Sequence, residues 1–358
     1  MPRWFRTLAM PLVVLSMVAA ACADGDDDPG EGASPTDGSA VECNEDFRVG
    51  LALDIGGIGD KSFNDAANAG LQQALADGLV CEENTEFIEA DATGSNRDAN
   101  VQALADDGYD LIVGVGFAFS EGIAAIANDY PDTNFAVIDG YATFVVEDLA
   151  NVADLTFKEH EGSYLVGAAA ALKCECDTIG FLGGQTGPLI EKFEAGYVAG
   201  AQAIDPGINV LVEYIGDDTA AFNDAVKGEA LSTKMYDDGA EIIYHAAGAS
   251  GGGLFNAAVK ADKLAIGVDS DQYLTASPEQ QPLILTSMLK RVDTAVYNAI
   301  QQQGEGSFEA GFQVFGMAEE GVDYSQSNSE ELTADIIEQL DAFKDQIISG
   351  EITVPETP

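Results

Sequence analysis

Short runs of apolar residues punctuate the chain at intervals, each bounded by Gly or Asp. In the first half they fall at 48–54, 85–90, 109–116 and 134–139, rich in Val, Ile and Leu. Between them lie stretches with helical spacing of apolar positions, such as 63–77 and 96–107. Continuous apolar strands alternating with helices predict βαβ units and parallel sheets buried on both faces. The pattern then restarts. A Gly- and Ala-rich helix over 161–173 leads to strands at 178–183, 210–214, 241–245 and 264–269, with a helix from Ile190 between the first two. A last helix is expected over 330–349. Two such series predict an α/β protein of two doubly wound lobes.

The first residues read differently. Arg3 and Arg6 precede an apolar run that ends at Ala21, and Ala19, Ala20 and Ala21 stand directly before Cys22. The run is shorter than the about 20 residues a membrane-spanning helix needs. A basic start, a short apolar stretch and small residues describe an export signal over 1–21, and Cys22 resembles the lipidated cysteine of a bacterial lipobox. Residues 23–42 hold no large apolar side chain before Val41, only Gly, Pro, Ser, Thr, Ala and acid. Such a segment buries too little surface to offset its ordering entropy and is expected to act as a tether over 22–44, with a reach of roughly 25 Å. No second apolar run of spanning length follows. The expected location is therefore extracytoplasmic, held at the membrane by lipid alone.

Charge narrows the function. Removal of 1–21 leaves 13 basic against 62 acidic residues. A field of that sign repels nucleic acid and anionic lipid, which excludes phosphate-backbone binding. It also suggests adaptation to high salt, in which case stability should fall on dilution. Four cysteines remain besides Cys22. Cys43 precedes the first strand and Cys81 the second, so they could meet at one sheet edge; Cys174 and Cys176 allow at most a strained local bridge. A metal site is not expected, because only His160 and His245 are available to complete one.

In open α/β sheets, ligands sit beyond the carboxyl ends of the strands. Asp54, Asp139 and Asp269 each end a strand, and glycines cluster at the same end: 56–57, Gly116, 183–184, Gly248 and 251–253. Carboxylates there accept hydrogen bonds from vicinal hydroxyls or ring N–H groups, although each also fits a turn or cap. The segment GGIGDKSFN over 56–64 is neither a Walker loop nor a dinucleotide fingerprint, so a phosphate cradle is disfavoured. It provides a helix start at Ser62, followed by Phe63 and Asn64. Phe222, just before a helix in the second half, occupies a comparable place. Each phenylalanine reads either as a core anchor or as a stacking platform, and the two together could sandwich a flat ring. Lys290, after an apolar strand at 283–287, reads as a surface lysine paired with an acid or as a donor to a sugar hydroxyl. No G-x-S-x-G elbow, HExxH or histidine-activated nucleophile is present, so no catalytic residue and no cofactor is assigned.

Several stretches carry a resemblance: GDKSFN (59–64), YDLIVGVGFAF (109–119), FAVIDG (135–140), EGSYLVGAAAAL (161–172), IGFLGGQTGPLIEKFEAGYVAGA (179–201), AAGASGGG (246–253), GVDSDQ (267–272) and TSMLKRVDTAVY (286–297). Together they resemble the basic membrane protein family of substrate-binding lipoproteins, the PnrA-like purine nucleoside receptors of ABC transporters. The resemblance implies a type I periplasmic-binding-protein fold, with lobe one over 45–156 plus 270–309, lobe two over 157–269 plus 310–350, and a tail over 351–358. It implies a nucleoside held between Phe63 and Phe222, base contacts from Asp54, Asn64 and Asp139, and ribose contacts from Gly248, Asp269 and Lys290. It also implies a monomer that hands its cargo to a permease and ATPase on other chains. Alternatives left open at this level are a sugar or other small metabolite in the same fold, a surface receptor not coupled to transport, and a nucleoside hydrolase.

Overall fold

The computed structural model describes residues 43–358; the export signal and the lipidation at Cys22 lie outside them. The first series runs β1 (Val49–Leu53), α1 (Phe63–Ala76), β2 (Thr85–Glu89), α2 (Arg97–Asp106), β3 (Leu111–Val115), α3 (Ser120–Ile126), β4 (Asn134–Ile138), α4 (Ala142–Val145) and β5 (Val152–Phe157). The second runs α5 (Glu159–Lys173), β6 (Thr178–Gln185), α6 (Pro188–Ile204), β7 (Asn209–Gly216), α7 (Ala225–Asp237), β8 (Ile242–Ala246), α8 (Gly251–Ala261), β9 (Leu264–Asp269), α9 (Gln272–Thr275) and β10 (Ile284–Lys290). It is followed by α10 (Val292–Glu305), β11 (Gly311–Phe315), β12 (Val322–Tyr324) and α11 (Ala334–Ile348).

The strands form two six-stranded sheets, ordered β11-β5-β4-β3-β1-β2 and β12-β10-β9-β8-β6-β7. Only the short β12 runs antiparallel to its neighbour. Every residue of β1, β3 and β8 is buried, which is what helices on both faces of a parallel sheet require. This is the two-lobed α/β architecture expected from the alternation.

The chain changes sheets after β5, after β10 and after β11. That divides a segment expected to lie in one lobe. Residues 270–309 were assigned to the first lobe, yet β10 pairs in parallel with β9 in the second sheet, and α10 alone returns to pack on α1. Conversely β11, expected in the second lobe, pairs with β5 in the first sheet. The reason is local: β10 is an apolar strand buried almost throughout, and the edge of β9 is the position that buries both its faces.

Helices α5 and α6 pack as a close pair beside the second sheet. A Cβ at Gly167, Gly196 or Gly200 would collide with the backbone of the facing helix, so the Gly/Ala stretch of α5 is a packing surface and not a membrane segment. Among the described residues no helix is long and apolar enough to cross a membrane. The sulfurs of Cys43 and Cys81 are bonded, with Cα atoms 5.0 Å apart, and tie the segment before β1 to the approach to β2. Cys174 and Cys176 are bonded at the end of α5.

Candidate functional site

The carboxyl ends of the central strands of both sheets face one cavity. Asp54, Phe63, Asn64, Asp139, Phe222, Gly248, Asp269 and Lys290 all line it, so the eight positions singled out from the sequence come together in space. Its apolar wall is made by Leu189, Ile190 and Phe193 of α6, with Phe117 after β3.

On the first lobe the site is organised by Asp60. Its buried carboxylate accepts from the backbone N–H groups of Ser62, Asn64 and Asp65 at 2.9, 2.8 and 3.1 Å, and from Asn64 Nδ2 at 2.9 Å. Asp60 thus satisfies the first N–H groups of α1, a job the sequence had given to Ser62. The Ser62 hydroxyl instead donates across the cleft to Asp269 Oδ2 at 2.5 Å. Asn64 is fixed at both ends of its amide, because its Oδ1 accepts from Asp54 N–H at 2.9 Å. One Nδ2 hydrogen remains for a ligand. Phe63, the first residue of α1, is half-buried at the cavity wall.

On the second lobe Phe222 sits in a short 3-10 turn over Thr219–Asn223. Asp218 Oδ1 accepts from Ala220 N–H at 3.0 Å, and Ser250 Oγ donates to Ala221 O at 2.7 Å. The ring lies against Gly184, where an added Cβ would overlap it. Gly248, in the left-handed region at φ 54°, packs under the same residue. Glycines at strand ends here give a flat aromatic its seat.

The charged groups divide into two clusters. Asp54 meets Arg97, whose Nε donates to Asp54 Oδ1 at 2.6 Å, while Ile55 N–H shares that oxygen. Among the described residues no donor reaches Oδ2. Burial raises the Asp54 pKa above the usual carboxylate value, and Arg97 works against that rise. The second cluster centres on Lys290, which ends β10 and does not follow it. Its Nζ donates to Asp139 Oδ2 at 2.7 Å and lies 3.1 Å from Glu159 Oε1. Lys192 stands 3.7 Å from the other Glu159 oxygen. Side-chain exposures of 2, 4 and 1 % for Lys290, Asp139 and Glu159 shield this cluster from bulk water, although Lys290 and Asp139 face the cavity. Burial opposes the ammonium charge, but Asp139, Glu159 and Asp269 together hold Lys290 well above its ordinary pKa. Lys290 also lies 5.2 Å from the Phe63 ring centre. Asp139 is therefore occupied by Lys290 as well as facing the cavity.

Asp139 and Asp269 share a further feature. Both are non-glycine residues in the left-handed region, at φ 59° and 64°. Asp tolerates that conformation better than most residues, and it turns each carboxylate back over its strand end into the cleft. Burial pushes Asp269 up to about 6, against the opposing pull of Lys290 and Ser62. His245 is fully buried beneath the floor, its Nε2 2.9 Å from Gln272 Oε1; burial pushes it down to about 4, so the imidazole is neutral. No histidine or cysteine lines the cavity among the described residues. Acceptors, aromatic faces and one ammonium suit capture of a polar, flat-ringed molecule.

Sequence reasoning passed over Arg97, Glu159 and the α6 wall. Arg97 carried one signal: a cation in the first turn of a helix opposes the helix dipole.

Comparison with known proteins gives a consistent picture. Residues 47–358 match the family model described as ABC transporter substrate-binding protein PnrA-like. An ABC transporter nucleoside-binding protein BmpA from Lactococcus lactis is 32% identical over 98% of this chain and 99% of its own. A CD4+ T-cell-stimulating antigen from Listeria innocua is 32% identical over 98% of each chain. Among solved structures, a solute-binding protein of an ABC transporter system from Aeropyrum pernix superposes with a TM-score of 0.74 at 28% identity, covering 86% of this chain and 94% of that one.

Proposed function

The chain belongs to the family of PnrA-like ABC transporter substrate-binding proteins, and from that premise we propose that its cargo is a nucleoside held between the two lobes. The observation that carries this reading is the pairing of Phe63 and Phe222, one from each lobe, around a cavity whose other polar groups are mostly carboxylates. A base stacked on aromatic faces gains about 1–3 kcal/mol per contact. Asp54 Oδ2 and the free Asn64 N–H present an acceptor beside a donor for a base edge. Asp269, Lys290 and the backbone at Gly248 are suited to ribose hydroxyls.

Charge supports a nucleoside over a nucleotide. Asp54, Asp60, Asp139 and Asp269 line the cavity against Lys290 as its one lining cation. A phosphate there would meet excess negative charge at short range. The reading is binding without turnover, in line with the substrate-binding role of the family.

Cargo enters between open lobes, and closure brings both walls onto it. Cargo shifts the open–closed balance only by binding the closed form better, and contacts from two lobes provide that difference. The closed form then docks on the permease of an ABC importer. Acylation at Cys22 and the acidic tether would hold the body outside the cytoplasmic membrane, in keeping with relatives named as lipoproteins.

Isothermal titration of the unit Val41–Pro358 with adenosine, guanosine, inosine, uridine and ribose tests the proposal. One-to-one binding of at least one nucleoside at about micromolar strength or better, near −8 kcal/mol, is expected, with no free base released. Binding should weaken in both Phe63→Ala and Asp269→Ala. Ribose bound as tightly as any nucleoside would reassign the cargo to sugars.

A further inference from the structure

Arg97 is at odds with its local setting. It is the first residue of α2, where a cation opposes the helix dipole and an acid is preferred. Its side chain is nevertheless only 11 % exposed, and Asp54 beside it 14 %. Three interactions hold it there. Nε donates to Asp54 Oδ1 at 2.6 Å, one terminal nitrogen donates to Gly94 O at 3.2 Å, and the other donates to Thr219 Oγ1 at 3.1 Å.

The partners lie on opposite sides of the cleft. Asp54 directly follows β1 in the first sheet. Thr219 begins the turn that carries Phe222, beyond β7 in the second sheet. Arg97 itself is not among the residues lining the cavity, whereas Asp54 and Thr219 both are. One guanidinium behind the wall thus joins an acidic contact of one lobe to the aromatic contact of the other. The planar fork of Arg makes this possible, since its N–H groups point to two acceptors at fixed angles; a lysine ammonium on a flexible stem has no such fixed pair.

We propose that Arg97 is a closure latch, a positioning residue that bonds the Phe222-bearing turn to Asp54 and so favours the closed arrangement of the lobes. By occupying Oδ1 it also leaves Asp54 Oδ2 as the oxygen that faces the cargo. The cargo role rests on the nucleoside reading above; the latch itself acts on lobe closure whatever the cargo is.

Two variants separate the parts. Thr219→Val removes the cross-cleft acceptor and keeps the Asp54 counter-ion. Arg97→Met removes both. The measurement is the spin-label distance between cysteines introduced at Glu121 and Asp217, both exposed and just beyond the carboxyl ends of β3 and β7, in the mature chain with Cys22→Ser. Without cargo, both variants should move population from the shorter to the longer distance. Arg97→Lys should behave like Thr219→Val, since it keeps the charge beside Asp54 without the fork. Saturating inosine should restore the short distance, with affinity reduced about tenfold in Thr219→Val, the scale of one hydrogen bond to a charged group, and further in Arg97→Met. Unchanged distances in folded Thr219→Val and Arg97→Met would overturn the latch, even if Arg97→Met binds more weakly, because that loss would then come from Asp54 alone. If no nucleoside binds the parent chain, the cargo reading fails while the cargo-free distances still decide the latch.

Discussion

Two ion clusters face the same cleft and are built on different physics. The Asp54–Arg97 pair matches one cation to one carboxylate at a partly wet edge, with a third contact across the cleft. The Lys290 cluster places one cation among Asp139, Glu159 and, further off, Asp269, where the side chains are almost wholly shielded from bulk water. The first can break and let water replace what is lost. The second cannot, because Asp139 left behind would be buried without its direct partner, with only Lys192 near Glu159 to offset the charge. The Asp54–Arg97 edge is thus the part of the site free to move, and the Lys290 cluster is its fixed floor.

The largest expected effect lies in the floor. Lys290→Met should lower unfolding stability by about 3–5 kcal/mol, the usual consequence of orphaning buried charge, read as a shift in urea midpoint. Arg97→Met should lower it by less, because the Asp54 side chain left behind is 14 % exposed, against 4 % for Asp139 and 1 % for Glu159, and keeps its bond from Ile55 N–H. Equal losses in the two variants would erase the distinction drawn here.

Next comes the pair of aromatics. Phe63→Ala and Phe222→Ala should each weaken nucleoside binding by about 1–3 kcal/mol, roughly fivefold to 150-fold. Both rings pack against the core and both variants should lower the melting temperature, Phe63→Ala the more because its ring also lies 5.2 Å from Lys290.

A smaller effect is expected from pH. Burial raises Asp269 to about 6 in the folded protein, above its value of 3.8 in a solvated chain. The folded state therefore holds this proton more tightly, so its contribution to stability is present below pH 3.8 and is lost as pH rises through 6. Cargo hydroxyls favour the ionised form, so affinity runs the other way: level above pH 7 and falling as pH drops through 6. Titration calorimetry between pH 5 and 8 on the parent and on Asp269→Asn should show the fall in the parent only.

The smallest is Gly184→Ala. The backbone there accepts alanine, but the new Cβ meets the Phe222 ring. Affinity should drop by a few-fold with stability nearly unchanged, and a far larger loss of stability would mean that the ring cannot yield.

Much of this was legible in the chain. Strands such as β1, β3 and β4 read clearly because burial on both faces leaves unbroken apolar runs. The strand ends could be inspected for a site because parallel sheets present their carboxyl ends together. What escaped depends on partners distant in sequence. Lys290 looked like a residue beyond its strand because a lysine interrupts the apolar run; Asp139, 151 residues earlier, and Glu159 explain why it is buried. The short β12 and the alternating β11 carry too little pattern to reveal that they join opposite sheets. Asp60 read as a loop residue because its capping geometry depends on the turn that precedes α1. Arg97 gave only a mismatch with its helix dipole, and its cross-cleft partner Thr219 lies 122 residues away.

In the proposed complex the two lobes hold two halves of one molecule. The most direct test titrates the parent protein with inosine, with hypoxanthine and with ribose under one set of conditions. The expected result is inosine bound at least about 100-fold more tightly than either fragment, since joining the halves makes the second contact intramolecular. Hypoxanthine or ribose bound as tightly as inosine would contradict it.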